Sequence, residues 1–258
     1  ENTSGPLGQG HTFAVGAAIA AKWFNQRYGA VHNPTIYASI SDGGVQEEIS
    51  QGAGRLAGHL GLDNLVMFYD SNTIQLSTGC GEVTSEDVAA KYAAWGWYVQ
   101  EIPGNDPDAI REAIIKAKAE KGRPSIIIGH TTMGKGCVTA EGANWEGKCS
   151  THGAPLSKAG ASFEKTIENL GGDPTNPFQI FPEVAKLYED RAIELREITN
   201  KKYAAYHEWA QANPLAANEY ETFMSGETPC IDWSLIEQKP GDATRNASGK
   251  VLGFLAEN

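Results

Sequence analysis

Two short apolar runs near the start of the chain set its frame. Thr35-Ile36-Tyr37-Ala38-Ser39-Ile40 and Leu65-Val66-Met67-Phe68-Tyr69 are rich in β-branched and aromatic residues, which predicts buried strands. Between them, residues 45–60 place Ile49, Ala53, Leu56, Ala57 and Leu60 at helical spacing. A strand–helix–strand unit predicts parallel pairing, with both strands ending on one edge of the sheet. Upstream, a helix is expected over residues 11–28, with Phe13, Ala17, Ala20, Ala21 and Phe24 on one stripe. Its many small residues suit close packing. Downstream, Thr84-Ser85-Glu86-Asp87 signals a helix that runs through about Trp95, and residues 97–102 read as a third strand. Asn105-Asp106-Pro107-Asp108 caps a helix over residues 107–121, and Ser125-Ile126-Ile127-Ile128 reads as a fourth strand. The alternation predicts an α/β fold, a doubly wound, mostly parallel sheet with helices on both faces.

Beyond residue 130 the character changes. Residues 133–156 are irregular and Gly-rich, and a loop this long in a compact domain is usually functional or disordered. Residues 183–213 predict one long polar helix with a thin apolar seam (Val184, Leu187, Ala192, Leu195, Ile198, Tyr203, Tyr206, Trp209), and residues 214–224 continue helically. The tail over 230–258 has little periodicity and reads as a linker. The expected organisation is a sheet domain over 1–180, a helical extension over 181–228 and a linker over 229–258. The chain opens on Glu1-Asn2-Thr3-Ser4, without an initiator Met, and runs straight into a Gly-rich turn. That reads as a fragment of a longer protein.

Composition narrows the partners. The chain has 258 residues, 41% hydrophobic and 21% charged, as in ordinary globular proteins. A net charge of −11 argues against nucleic acid, because no basic face is available for phosphate backbones. Four cysteines (Cys80, Cys137, Cys149, Cys230) are scattered without a CxxC or metal-type spacing. They read as free thiols of a reducing compartment, which predicts a cytoplasmic location. No apolar span is long enough for a membrane. Asn2-Thr3-Ser4 and Asn246-Ala247-Ser248 match the glycosylation triplet, a pattern too common by chance to carry weight.

The polar residues at the predicted strand ends carry the chemistry. Ser41-Asp42-Gly43 follows the first strand and Asn72 follows the second, so one acid and one amide meet where ligands of parallel sheets bind. Their oxygens suit Mg²⁺ or Ca²⁺, with phosphate filling the remaining positions. Asp42 alone could equally cap the following helix. Gly5-Pro6-Leu7-Gly8-Gln9-Gly10 could bring backbone amides close to a cofactor, or be a plain turn. Glu47 and Glu48 suit a first helical turn, and a buried Glu there would be a proton-network candidate. His152, in Ser150-Thr151-His152-Gly153-Ala154-Pro155-Leu156, could meet a phosphate or a substrate hydroxyl, or be a surface loop histidine. His11 and His130 are weaker candidates, and no partner is identifiable for His11, His32, His59, His130 or His207.

Taken in order, Gly5-Pro6-Leu7-Gly8-Gln9-Gly10, Asp42-Gly43 with Glu47, Asn72 with Ile74, and His152-Gly153-Ala154-Pro155-Leu156 resemble the transketolase family. The resemblance covers most of the chain and corresponds to the diphosphate-binding domain of that thiamine-diphosphate enzyme. It implies that Asp42, the Asn72 side chain and the Ile74 carbonyl ligate Mg²⁺ or Ca²⁺. Gly43 would contact the diphosphate through its backbone, and Gly5 and Leu7 would line the thiamine pocket. Glu47 would join a carboxylate network between paired active sites of a homodimer. His152 would sit near the diphosphate and the sugar-phosphate substrate, a cofactor contact and a catalytic one. The implied reaction moves a two-carbon ketol unit from a ketose phosphate to an aldose phosphate, in the pentose phosphate pathway of carbohydrate metabolism.

Two departures accompany the resemblance. The family's usual Gly-Asp-Gly is Ser41-Asp42-Gly43 here. The upstream segment with its substrate-binding histidines and the pyrimidine-binding domain are not in the sequence, and Ala243-Thr244-Arg245-Asn246-Ala247-Ser248 resembles the stretch just before that domain. The chain alone is therefore expected to be inactive and to bind the cofactor weakly. Alternative readings are a natural subunit of a split transketolase, a related thiamine-diphosphate enzyme such as a dihydroxyacetone synthase or a 2-oxo acid dehydrogenase component, and a non-catalytic binding or assembly module.

Overall fold

The computed structural model describes residues 3–29, 33–226 and 230–257. Asn2 of the first triplet and His32 therefore lie outside the described residues. Four parallel strands form one sheet in the order β1-β2-β4-β3: β1 (Ile36–Ser41), β2 (Leu65–Ser71), β3 (Tyr98–Pro103) and β4 (Ser125–His130). Ser41 pairs with Asp70, and Ser71 with His130, so the strands end level on one edge.

Alternation along the central strands builds two cores. Leu65, Met67 and Tyr69 of β2, with Ile126 and Ile128 of β4, point to one face. There they meet α1 (Gln9–Tyr28), α3 (Glu48–His59) and α4 (Val88–Ala94) through Ala14, Ala18, Ala53, Ala57 and Tyr92. Val66, Phe68 and Ile127 point to the other face and pack on Ala113 and Ala117 of α5 (Pro107–Ala119). Because both faces of β2 and β4 are covered, their sequences read as continuous apolar runs rather than as alternation. The predicted α/β, doubly wound parallel sheet with helices on both faces is the observed fold.

The helix expected over residues 45–60 is instead two helices. α2 (Asp42–Gln46) starts at the strand end, and the chain breaks at Glu47, which is extended at φ −65° and ψ 132°. The cause is non-local. Gly8 of the Gly-rich loop has φ +77°, and a Cβ there would lie 2.8 Å from Glu47 Cβ. The loop is thus seated on the kink, and only glycine fits that contact. Asp106 caps α5 as its sequence suggests, whereas α4 begins only at Val88 and is capped by Asp87, which the sequence pattern places inside the first turn behind a hydroxyl cap.

Residues 133–162 form an ordered loop. The Trp145 indole and the Ser150 hydroxyl both donate to the Ala159 carbonyl, and Asn169 Nδ2 donates to the Gly136 carbonyl. The loop contains one short helix, α6 (Leu156–Ala159), and α7 (Phe163–Asn169) follows it. The long helix appears as α8 (Pro182–Ala212), none of whose described residues is buried, and α9 (Pro214–Ser225) follows it. The tail departs from expectation: residues 244–257 form a helix, α10 (Thr244–Glu257). Gly249 and Gly253 weaken its pattern, while Val251, Leu252, Phe254 and Leu255 recur at helical spacing. The chain divides into two compact units, Glu1–Ala205 and Tyr206–Asn258.

His11 has a partner that sequence reading does not identify. It is 4% exposed, its Nδ1 lies 2.6 Å from Ser50 Oγ, and its ring sits beside Tyr92 and Trp97. Burial lowers its pKa from 6.5 to about 4. The unfolded chain therefore takes up a proton between those values that the folded chain refuses. Stability should be complete above pH 6.5 and fall by about 3 kcal/mol as pH drops toward 4. Urea unfolding at pH 7 and pH 4.5 checks this, and His11→Gln should flatten the decline.

Candidate functional site

The site lies where β1 and β2 end. Ser41 is the N-cap of α2, its Oγ accepting from the Gly44 amide at 3.4 Å. That frees Asp42 from the capping role that its sequence position allowed. The Asp42 side chain, 3% exposed, instead reaches across to β2. Tyr69 donates its hydroxyl to Asp42 Oδ1 at 2.6 Å, and the Asn72 and Thr73 amides each donate to Oδ2 at 3.0 Å. Asp42 and Asn72 are thus brought together, as the strand–helix–strand pattern predicts.

The turn that aims those amides is strained. Thr73 has φ +64° and is the one non-glycine in the left-handed region among the described residues, an unfavourable conformation for a β-branched side chain. Asn72 Oδ1 accepts from the Ile74 amide at 3.1 Å, which fixes the carboxamide at the mouth of the turn. Next door, Thr131 Oγ1 donates to Asp70 Oδ1 and its amide to the Ser71 carbonyl. The end of β2 is therefore clamped from both sides.

Two cavities flank this strand end. One of about 270 Å³ is lined by Asp42, Gln46, Tyr69, Thr73, Cys80 and His130. The other, of about 260 Å³, is lined by Leu7, Gly8, Gly10, Ser41, Gly44 and Asp70, so the Gly-rich loop meets the strand ends there. Leu7 is exposed, and its Cδ1 would lie 3.6 Å from a Cβ on Gly43. A Cβ on Gly5 would meet nothing within 4 Å. Both glycines thus leave open approach to their backbone. Burial raises the Tyr69 pKa far above the ordinary phenol value, and the Asp42 hydrogen bond reinforces it. Tyr69 is therefore a neutral donor at every working pH. Burial also raises the Cys80 thiol pKa, so Cys80 is not an activated thiolate.

Glu47 and His152 sit apart from this cluster, whereas His130 shares the Asp42 cavity. Glu47 is exposed, so in this chain it lacks the burial that a proton-network role requires. His152 makes no hydrogen bond to the Asp42 cluster; its buried Nδ1 is without a partner. His130 pairs with Glu101 at 3.0 Å on an exposed rim. Tyr69 and Thr73 belong to the site but escape sequence reading. Tyr69 looks like the last apolar residue of a strand, and its one signal is a hydroxyl at a strand end.

The residues fit a hard divalent cation with a diphosphate. A carboxylate offers about four lone-pair positions, and three on Asp42 are taken. One remains, and the Asn72 carbonyl oxygen keeps another beyond its bond to Ile74. Carboxylate, amide and backbone oxygens are the ligand chemistry of Mg²⁺ and Ca²⁺. Among the described residues no group of three His, Cys, Asp or Glu is placed to hold a metal ion.

A parallel sheet with an acid and an amide at adjacent strand ends, beside a Gly-rich loop, defines an α/β domain with its polar site at the carboxyl edge of the sheet. Comparison with known proteins gives the family. Residues 1–229 match the profile of the transketolase thiamine diphosphate binding domain, and the chain belongs to that family. It is 37% identical to transketolase 2 of Escherichia coli over 268 aligned positions, covering 98% of this chain and 38% of that protein. Identity to a Staphylococcus epidermidis transketolase is also 37%, covering 39% of it. The fold superposes on transketolase from Leishmania mexicana with a TM-score of 0.83 at 29% identity, covering 98% of this chain and 38% of that one. It superposes on Pichia stipitis transketolase in complex with sedoheptulose 7-phosphate with a TM-score of 0.84, also at 29% identity, covering 99% of this chain and 38% of that one. The chain thus spans well under half the length of these relatives. Among the described residues no helix is long and apolar enough to cross a membrane.

Proposed function

We propose that this chain is the cofactor-diphosphate half of a transketolase. In this reading Asp42, the Asn72 side chain and the Ile74 carbonyl hold Mg²⁺ or Ca²⁺, and the Gly43 amide faces the diphosphate. Gly5 and Leu7 line the thiamine side, and His152 faces the diphosphate and the sugar phosphate. Bound there, thiamine diphosphate would supply the carbanion chemistry that moves a two-carbon unit between sugar phosphates. The residues of this chain would bind and orient it. The observation that carries the reading is the Asp42 carboxylate, buried and turned away from its own helix to meet the Asn72–Thr73 turn.

The remaining parts of the proposal concern what completes the site. A pyrimidine-binding domain or subunit would close the other side of the pocket, and Glu47 would become buried and join the carboxylate network when two copies form a homodimer. The sheet domain would occupy residues 1–180, the helical extension 181–228, and 229–258 would lead toward the pyrimidine-binding domain. The protein would work in the cytoplasm, in pentose phosphate metabolism. The 258 residues alone should give no turnover of xylulose 5-phosphate with ribose 5-phosphate. Adding a separately made pyrimidine-binding domain should restore cofactor-dependent turnover. Turnover by the chain alone contradicts the half-site; no turnover by the mixture favours a non-catalytic module.

A further inference from the structure

We infer that Tyr69 is a positioning residue for cation binding: its hydroxyl holds the Asp42 carboxylate in the one rotamer that serves the Asn72–Thr73 turn and a cation together. The inference rests on the proposed function and extends it to a residue with no ligating role of its own. Tyr69 lies on β2, paired with Ile40 of β1 and Ile128 of β4, and is 5% exposed. Its ring is packed in the core of the sheet face that α1, α3 and α4 cover, so the phenol oxygen has little freedom.

The geometry divides the labour between the two carboxylate oxygens. Oδ1 takes one hydrogen bond, from Tyr69, and Oδ2 takes two, from the amides. The free lone pair is therefore on Oδ1, and the phenol fixes where it points. Without the hydroxyl, the carboxylate keeps its Oδ2 bonds but can rotate about them, and a cation must then restrict that motion when it binds. Preorganisation of this kind raises affinity without adding a ligand. Thr73 in its strained conformation depends on the same carboxylate, so a loosened Asp42 should also loosen the turn.

The test compares the whole 258-residue chain with its Tyr69→Phe and Tyr92→Phe variants. Tyr92 is a matched control, a fully buried tyrosine on the same sheet face but with no bond to Asp42. Amide hydrogen exchange at Asn72 and Thr73, measured without cation or cofactor, should speed up about tenfold in Tyr69→Phe and stay unchanged in Tyr92→Phe. Mn²⁺ affinity in the presence of thiamine diphosphate, followed by electron paramagnetic resonance, should fall about tenfold in Tyr69→Phe alone, equivalent to about 1.4 kcal/mol. Unchanged exchange at both amides, or equal Mn²⁺ affinity in the wild type and Tyr69→Phe, overturns the inference. A wild-type chain that binds no Mn²⁺ overturns the proposed function and the cation role of Tyr69 with it, while the exchange data still decide whether Tyr69 holds Asp42.

Discussion

Asp42→Asn should abolish cation-dependent binding of thiamine diphosphate while leaving the fold intact, whereas Asp42→Ala should lose both. The difference lies in the contacts of one buried side chain. An asparagine keeps the size of Asp42. Its carbonyl oxygen can accept from the Asn72 and Thr73 amides, and its NH₂ can donate to the Tyr69 oxygen once that hydroxyl turns. Stability should then fall by no more than about 1 kcal/mol. The charge is gone, however, and a divalent cation loses its one anionic protein ligand. Affinity should drop at least about a hundredfold. Alanine removes the acceptors altogether. Tyr69 is left with a buried hydroxyl and no partner, and the strained Thr73 turn loses its anchor, so about 3 kcal/mol of stability should go as well. Urea unfolding and cofactor titration of the two variants separate the effects. Equal binding by the wild type and Asp42→Asn would remove Asp42 from the cation site.

Gly58→Ala should be the most damaging single-methyl change in the sheet domain. In an open helix, alanine in place of glycine stabilises by about 1 kcal/mol. Gly58 is on the buried side of α3, where it faces the turn that joins α4 to β3. A Cβ there would lie 1.8 Å from the Trp95 carbonyl oxygen and 3.3 Å from Trp97 Cδ1. Backbone cannot yield as a flexible side chain can, so α3 or the turn must move. The Trp97 indole, 2% exposed and donating to the Gly54 carbonyl at 2.8 Å, is tied to that spacing. Net destabilisation should exceed about 2 kcal/mol, with the clash outweighing the helix preference. Tryptophan fluorescence during urea unfolding reads it directly. An unchanged midpoint would show that the turn adjusts freely.

Much of the frame was legible in the sequence because it follows from local pattern. The runs at β2 and β4 are apolar throughout since helices cover both faces, and the intervening helix makes the pairing parallel. Once that is granted, Asp42 and Asn72 must end on one edge. What could not be read depends on contacts between distant segments. Glu47 breaks the helix because Gly8, thirty-nine residues earlier, is pressed against it. Ser41 takes the cap and releases Asp42, a choice that local sequence leaves open between the two. The Thr73 turn carries no glycine to announce a left-handed residue. Tyr69 presents itself as a core aromatic, and its function resides in one oxygen atom. The helix at the C-terminal end was hidden by two glycines within its apolar repeat. His152 and Glu47 show the converse limit: a motif can nominate a residue, while its environment depends on surfaces that other parts of a complete enzyme would supply.

The most direct test of a cation–diphosphate site at Asp42 is calorimetric titration of thiamine diphosphate into the wild-type chain, with Mg²⁺ and with the metal chelated. The account predicts weak, saturable binding that requires Mg²⁺, since in the proposed reading another domain would close one side of the pocket. Binding that is unaffected by chelation, or no binding at millimolar cofactor with Mg²⁺ present, would contradict it.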